Sequence, residues 1–482
     1  MIQRALEFQR ALRRLFWTAL WHARQAVRRG VLLIPRALGT LGRPLWLALS
    51  GCILAVAARL ARRARRGQRL YWGPDPLPHF QYLSDALRAA GYDSTPVVYR
   101  QHEIFKGLEF DLYEDELVSA SRLPDFLARR ASEYVAFLYL LKNYDIVHIP
   151  FTGGPLGRTR LAWLEPHLFR LARIHTVILP FGGDFWRFSW IGEALMRHAM
   201  LLNYPDEGRR EDVVERRVKR WMRYADIVVC TTMIEGASRW DVMATDFNIV
   251  PPDRVRPREA WSTADGDTER VTILHAPNHR GVKGTEFILE AVNSLKRKGY
   301  AIDLMLLENR PNEEVLEAMR RADVCVDHCI GSGWGLFAVE AMGSGATVMV
   351  NLDDEHRIGV HRYFGWLNQS PLVSANIEQI EETLEYLIRN PSLREELGRM
   401  GIEYVRRFHS AETAQYLFGS IYRKLGGEEV DLMRLFQPIS SEYMRRFEPL
   451  RPPLQRNRPP ALQPQAAADP RDGSRATRSR PA

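Results

Sequence analysis

The chain is short of cysteine, of long uncharged stretches and, over its first 70 residues, of acids. Only four cysteines occur, Cys52, Cys230, Cys325 and Cys329, with no paired CxxC spacing. That excludes a disulfide scaffold and a zinc ribbon and fits a reducing compartment. Cys325 and Cys329 flank Asp327 and His328, a set that could in principle hold a metal. Val324-Cys325-Val326, however, reads as a buried strand in which Cys packs as a small apolar residue, and no metal is expected. The charge-free run Pro44 to Ala58 is fifteen residues long, short of the roughly twenty that cross a bilayer. It comes late and ends in Arg59, Arg62, Arg63, Arg65 and Arg66, which argues against a cleaved signal.

The acid shortage makes the net charge of +9 misleading. Residues 1–70 carry fifteen Arg, no Lys and Glu7 alone, a balance of +14. Residues 445–482 add +6, so the segment between them stands at −11. The basic character belongs to the ends, and binding of nucleic acid by the folded body is not expected. Trp17, Trp21 and Trp46 among the leading arginines suit a segment, residues 1–66, lying on an anionic membrane surface.

From Arg69 the pattern changes to alternating strands and helices. Apolar runs at 97–99, 145–149, 176–180 and 226–230 are separated by helix-length stretches. Their near-continuous hydrophobicity predicts a parallel sheet covered on both faces. Prolines and acids over 251–270 mark a linker, and a second series starts at Val271. Thr285 is expected to cap a helix stopped by Gly299, residues 302–308 form a strand, and Asn312 is expected to cap the next helix. The segments are thus 1–66, a first α/β domain 67–262, a second 263–410, a return helix 411–436 and a disordered Pro/Arg-rich tail 437–482. Two such domains leave a cleft between the carboxyl ends of their sheets, where ligands bind.

Two loops carry the chemistry. The first, HisAlaProAsnHisArgGlyValLysGlyThr (275–285), holds Arg280 and Lys283 between a strand and a helix. The second, GlyTrpGlyLeuPheAlaValGluAlaMetGlySerGly (333–345), brings Gly333 and Gly335 to the start of a helix that carries Glu340. Backbone N–H groups at such a turn suit a phosphate, and the two cations would offset charge growing on a departing diphosphate. Glu340, in an apolar segment, is costly unless a partner such as a ribose hydroxyl pair satisfies it; a salt bridge is the alternative. In the first domain Asp184 and Arg187 follow a strand and should face the cleft, His148 ends a strand and could reach it, and Gly73 in the first βα loop would permit close approach of a ligand. Asp184 could equally be a turn residue and His148 a satisfied core histidine. No Asp-x-Asp metal motif is present.

These runs, with ArgArgAlaAspValCysValAsp (320–327) and the weaker AspIleValHis (145–148), GlyGlyAspPheTrpArg (182–187) and TyrAlaAspIleValValCysThrThr (224–232), resemble glycosyltransferase family 4 of the GT-B fold over roughly 69–430. The resemblance implies a retaining transferase with no cofactor, acting on a nucleotide-sugar donor and a carbohydrate or lipid-linked envelope acceptor; the missing metal motif adds the expectation of metal independence, and the basic leader that of a place at the cytoplasmic face of a membrane. It implies a helix near 411–425 crossing back to the first domain. Arg280, Lys283 and Asp184 would be catalytic. Ser332, Gly333, Gly335, Leu336, Phe337 and Glu340 would bind the donor, and Gly73, His148 and Arg187 the acceptor. Two positions depart from the family pattern: Ser332 stands where a glutamate is usual, and Phe181 where a histidine is usual. They keep open a catalytically silent relative that binds a sugar nucleotide or serves in an assembly. An epimerase or phosphorylase of the same fold is a further alternative, although neither signature is visible.

Overall fold

The computed structural model describes residues 42–62, 68–100, 109–119, 125–230, 237–244, 248–364 and 366–460. Trp17 and Trp21, most of the leading segment and residues 461–482 lie outside these. The chain divides into two units, one up to Ala57 and one from Ala58. Of the first, the helix α1 (Gly42–Ala61) is described. Trp46, Leu49, Ile53 and Val56 fall on one face of it by their spacing, and each is about half exposed, at 45–53%. Among the described residues no helix is long and apolar enough to cross a membrane.

The second unit holds two α/β lobes. The N-lobe strands are β1 (Arg69–Trp72), β2 (Asp93–Val98), β3 (Leu112–Tyr113), β4 (Ile146–Ile149), β5 (His175–Ile178), β6 (Ile227–Cys230) and β7 (Val242–Met243). They pair in the order β3-β2-β1-β4-β5-β6-β7, all parallel. The C-lobe strands are β8 (Val271–His275), β9 (Ile302–Leu306), β10 (Val324–Val326), β11 (Thr347–Val350) and β12 (Val373–Ser374). They form a second parallel sheet, β12-β11-β10-β8-β9. Central strands such as β4, β10 and β11 are buried at every residue, which is why each reads as an unbroken apolar run.

The helices that position the site are α2 (Pro78–Ala89), α3 (Ala194–Asn203), α4 (Arg280–Lys283), α5 (Thr285–Arg297), α6 (Asn312–Arg321), α7 (Leu336–Gly343) and α8 (Ala411–Leu425). The caps differ from expectation. Gly284, left-handed at φ 80, precedes α5, and Thr285 spends its hydroxyl on His275 instead. Pro311, not Asn312, precedes α6. The C-lobe core joins Val271, Ile273, Val324 and Val326 to Ile288, Val292 and Leu295 of α5. Cys325 and Cys329 are fully buried, and burial pushes the Cys325 thiol up to about 12, so both are packing residues.

Helix α8 crosses to the N-lobe as expected. Gln415 Nε2 donates to the Ala86 carbonyl at 2.8 Å, Phe418 meets Trp72 edge-on at 5.0 Å, and the Tyr422 hydroxyl lies 3.0 Å from His148 Nε2. The tail expected to be disordered from 437 is instead ordered through 460. Tyr443 is buried and stacks on Tyr416 at 4.7 Å, and Leu454 joins the C-lobe core. Asn457 Nδ2 donates to the carbonyls of Ser370 and Leu372 at 2.8 Å each. A few aromatic and apolar residues, spaced far apart, hold a segment whose composition alone predicts no core.

Candidate active site

The first C-lobe loop is anchored by His275 at the end of β8. Its Nδ1 lies 2.8 Å from the Val326 carbonyl and its Nε2 2.9 Å from Thr285 Oγ1. Burial holds the ring at about 4, so the neutral form donates to the carbonyl and accepts from the hydroxyl. The loop's two cations then part company. Arg280 Nε donates to Glu286 at 2.9 Å and its Nη1 to Glu308, beyond β9, at 2.9 Å. Lys283 pairs with Asp327 at the end of β10, with His328 Nδ1 3.4 Å from its Nζ. Burial opposes ionisation of Asp327, but the Lys283 ammonium beside it wins and keeps the carboxyl well below the usual range. Arg280 is therefore engaged at the rim, whereas Lys283 is aimed into the lobe from a buried carboxylate.

The second loop lies against the first, since the Cys329 N–H donates to the Lys283 carbonyl at 3.2 Å. Gly333 adopts φ 137, a conformation open to glycine, while beside both Gly333 and Gly335 nothing lies within 4 Å of a hypothetical Cβ. Helix α7 starts at Leu336 without a side-chain cap, and Gly335, Leu336 and Phe337 are partly exposed. The first amides of a helix have no intrahelical acceptor, this start has no side-chain cap, and open space lies beside Gly335, the arrangement that favours an anion.

Glu340 lies farther along α7, 4% exposed. Its Oε1 is 3.5 Å from Asn312 Nδ2, and Asn312 Oδ1 is buried with no hydrogen-bond partner among the described residues. Burial pushes Glu340 up to about 8, only partly offset by Arg254 of the linker. Arg254 in turn sits 5.7 Å from the Tyr82 ring on α2 of the N-lobe. Glu340 and Lys283 thus share no partner: Glu340 meets Asn312, Lys283 meets Asp327 and His328, and Arg280 joins neither.

The N-lobe residues are placed differently. Asp184 is buried, and its carboxylate accepts the N–H groups of Phe151 at 2.8 Å, Phe181 at 2.9 Å and Gly182 at 3.0 Å. Burial raises it to about 6 against the pull of the Phe181 and Phe151 amides and of Arg217. It ties the loops after β4 and β5 together, and Phe181 takes part through its backbone N–H. His148 is fully buried, stacked on Trp72 at 3.8 Å and bonded to the Tyr71 carbonyl and Tyr422. Burial lowers it to about 3. Of the two readings the sequence allowed, a cleft residue or a satisfied core histidine, the contacts are those of the second, with His148 the dock for α8. Gly73, at φ +150, is needed because a Cβ would strike the Val97 carbonyl oxygen, a fit between strands. Arg187 is 5% exposed, with its guanidinium 4.0 Å over the half-exposed Trp190 ring. Thr152 Oγ1 donates to Asp75 at 2.7 Å.

One site residue escaped sequence reasoning. Glu193, which precedes α3 in the N-lobe, reaches the C-lobe, where its Oε2 accepts the Ser332 N–H at 2.9 Å. Arg357 Nη1 lies 3.7 Å from the same oxygen, and Asn351 Nδ2 lies 3.5 Å from Oε1. Its partner is 139 residues away, and no local pattern marks it.

No family model matches the chain, and no curated protein does. Among solved structures, a point mutant of S. aureus TarM in complex with fondaparinux, α-GlcNAc-glycerol and UDP is similar at 10% identity. That match covers 75% of this chain and 100% of that one, with a TM-score of 0.50. TarM itself is matched at 9% identity over 75% and 99% of the chains, TM-score 0.48. Sucrose-phosphate synthase from Thermosynechococcus elongatus is matched at 15% over 75% and 100%, TM-score 0.47. At such identities the likeness establishes the fold, and the fold is GT-B: two Rossmann-like lobes with parallel sheets and a last helix that returns to the first lobe.

Proposed function

We propose that the chain is a glycosyltransferase, of the kind grouped in family 4, that moves a sugar from a nucleoside diphosphate to a carbohydrate or lipid-linked acceptor. The observation that carries this is the glycine loop 333–335. It opens onto the uncapped start of the helix that carries Glu340, whose one long contact is Asn312, an amide with its oxygen buried and unpartnered among the described residues, and Lys283 stands on the neighbouring loop. A diphosphate meets amides and an ammonium there, and a ribose donates its hydroxyls to carboxylate and amide oxygen. The buried Glu340 gains what it lacks when such hydroxyls arrive.

As the sugar–phosphate bond breaks, charge grows on the departing diphosphate. Lys283, already held in place by Asp327, and the amides of Leu336 and Phe337 stabilise it without reorganising; one such donor contributes about 3 kcal/mol. Arg280 contributes only by exchanging its carboxylate partners. The chemistry then needs no metal, and attack from the face of departure, with the leaving phosphate taking the acceptor proton, retains configuration. The likeness to a transferase solved with UDP and sugars supports the class of ligand.

The acceptor enters between the lobes. Its membrane source is supported by α1, whose exposed Trp46, Leu49, Ile53 and Val56 precede the run of arginines. Peripheral binding at the inner face of a membrane follows. Full-length protein should sediment with phosphatidylglycerol vesicles and stay in solution with neutral ones; equal behaviour with both removes this part.

The whole reading is tested by thermal shift with UDP, GDP, ADP and their sugars on wild type and Glu340→Ala. One nucleotide should stabilise the wild type, and the variant should lose most of that shift. An unchanged shift in the variant ends the ribose role. The internal commitments of Arg280 and Asp184 favour one second reading, a non-catalytic sugar-nucleotide-binding subunit, which binds equally well but releases no nucleotide with any acceptor.

A further inference from the structure

Asp327 and His328 follow β10 at its carboxyl end. Asp327 holds Lys283, but the imidazole of His328 has no part in the chemistry drawn so far. Backbone hydrogen bonds fix where it stands. The His328 carbonyl accepts the Asn351 N–H at 2.9 Å, and the Asn351 carbonyl accepts the Gly333 N–H at 2.9 Å. Asn351 Nδ2 also donates to the Ile330 carbonyl at 3.1 Å. One residue after β11 thus gathers the segment from His328 to Gly333 around itself. The Cys329 N–H in turn donates to the Lys283 carbonyl at 3.2 Å. His328 is therefore tied by short bonds to both loops of the donor site.

The ring's two nitrogens are in different positions. Lys283 Nζ lies 3.4 Å from Nδ1. An ammonium has only protons to give, so Nδ1 accepts and the ring proton sits on Nε2. Asp327 Oδ2 is 3.3 Å from the same nitrogen, yet it is buried without a hydrogen bond among the described residues. The lysine, not the carboxylate, sets the tautomer. Burial, with the charges of Lys283 and Arg357, outweighs the pull of Asp327 and lowers His328 below its ordinary 6.5. The ring is neutral at pH 7, with one N–H.

That N–H is on the side of the imidazole away from Nδ1 and has no partner among the described residues. The His328 side chain keeps 15% exposure and that of Lys283 21%, whereas Asp327 is shut in at 2%. An ammonium and an imidazole N–H thus emerge together from one cluster whose acid stays behind. Neighbouring donors of this kind suit the neighbouring oxygens of a diphosphate.

We infer that His328 is a further catalytic residue of the donor site, whose Nε2–H donates to an oxygen of the departing diphosphate beside the Lys283 ammonium. This rests on the donor site proposed above. The lysine's charge is already offset by Asp327, so the ring adds a hydrogen bond that strengthens as negative charge grows on the leaving group.

The test uses full-length protein, with calorimetry on the nucleoside diphosphate found to bind and on its parent nucleoside, and turnover of the sugar conjugate. His328→Asn keeps an acceptor for Lys283 near the place of Nδ1 and loses the outer N–H. His328→Gln reaches farther and keeps an N–H near the place of Nε2. The asparagine variant should bind the diphosphate about tenfold more weakly, with nucleoside affinity within about twofold of wild type. It should lower kcat more than it raises KM. The glutamine variant should recover most of both losses. An asparagine variant that matches wild type, or outperforms the glutamine variant, would mean that the ring only braces Lys283, and would overturn the inference. Equal losses for nucleoside and diphosphate would overturn it too, as the mark of a disturbed lobe. A wild type that binds no nucleoside diphosphate sinks the donor site itself, and the role of His328 with it.

Discussion

The carboxyl edges of the two sheets face the same cleft with opposite polar economies. On the N-lobe edge, Asp184 spends its carboxylate on three backbone amides and His148 uses both ring nitrogens. On the C-lobe edge, Glu340 has one long contact, Asn312 Oδ1 has none among the described residues, and the start of α7 has no side-chain cap. A buried polar group already paired by its own chain serves the scaffold. One left short is what a ligand completes. The difference separates residues that hold the cleft's shape from residues that hold its contents.

Four substitutions test this contrast, from the largest effect to the smallest. Lys283→Ala should lower donor turnover about 100-fold or more while the circular dichroism spectrum stays that of the wild type; unchanged turnover would place the donor elsewhere. Asp184→Asn should act on stability instead. The amide keeps one acceptor where the carboxylate had two, so about 1–3 kcal/mol is lost in urea unfolding, with KM for the donor unmoved. A selective loss of turnover would return Asp184 to the chemistry.

Glu340→Gln tests the same contrast through pH. Burial raises the folded carboxyl to about 8, above its ordinary 4.5. Between those values the unfolded chain releases a proton that the native state keeps, so the wild type loses stability as pH rises from about 5 to 8. The glutamine variant should show a shallower decline in urea unfolding across that window, and parallel curves would refute the burial argument. Arg280→Ala should matter least, with turnover falling about fivefold at most, because its exposed pairs contribute little. A loss as large as that of Lys283→Ala would show that the arginine leaves Glu286 and Glu308 for the ligand.

Sequence alone was a good guide wherever the determining neighbours were close along the chain. Strands such as Ile146–Ile149 are buried throughout and so carry their own signature. Glu340 stood out because it interrupts an apolar helix. His148 could not be judged that way: whether it is satisfied depends on Tyr422, 274 residues on. Arg280 looked like a ligand cation because Glu286 and Glu308 carry no mark of pairing with it. Glu193 was invisible, since its meaning comes from an amide in the other lobe. The order of residues 437–460 escaped for the same reason, as Leu454 finds its neighbours in a core built from residues far upstream.

That last segment has a mechanical corollary. After α8 has left the C-lobe, the chain comes back, and Arg458 Nη2 clasps Asp353 at 2.7 Å while Asn457 seals the margin of β12. The halves are consequently stitched by three covalent spans rather than two. Any opening of the jaws must pivot about all of them, which favours a short, guided swing over free tumbling.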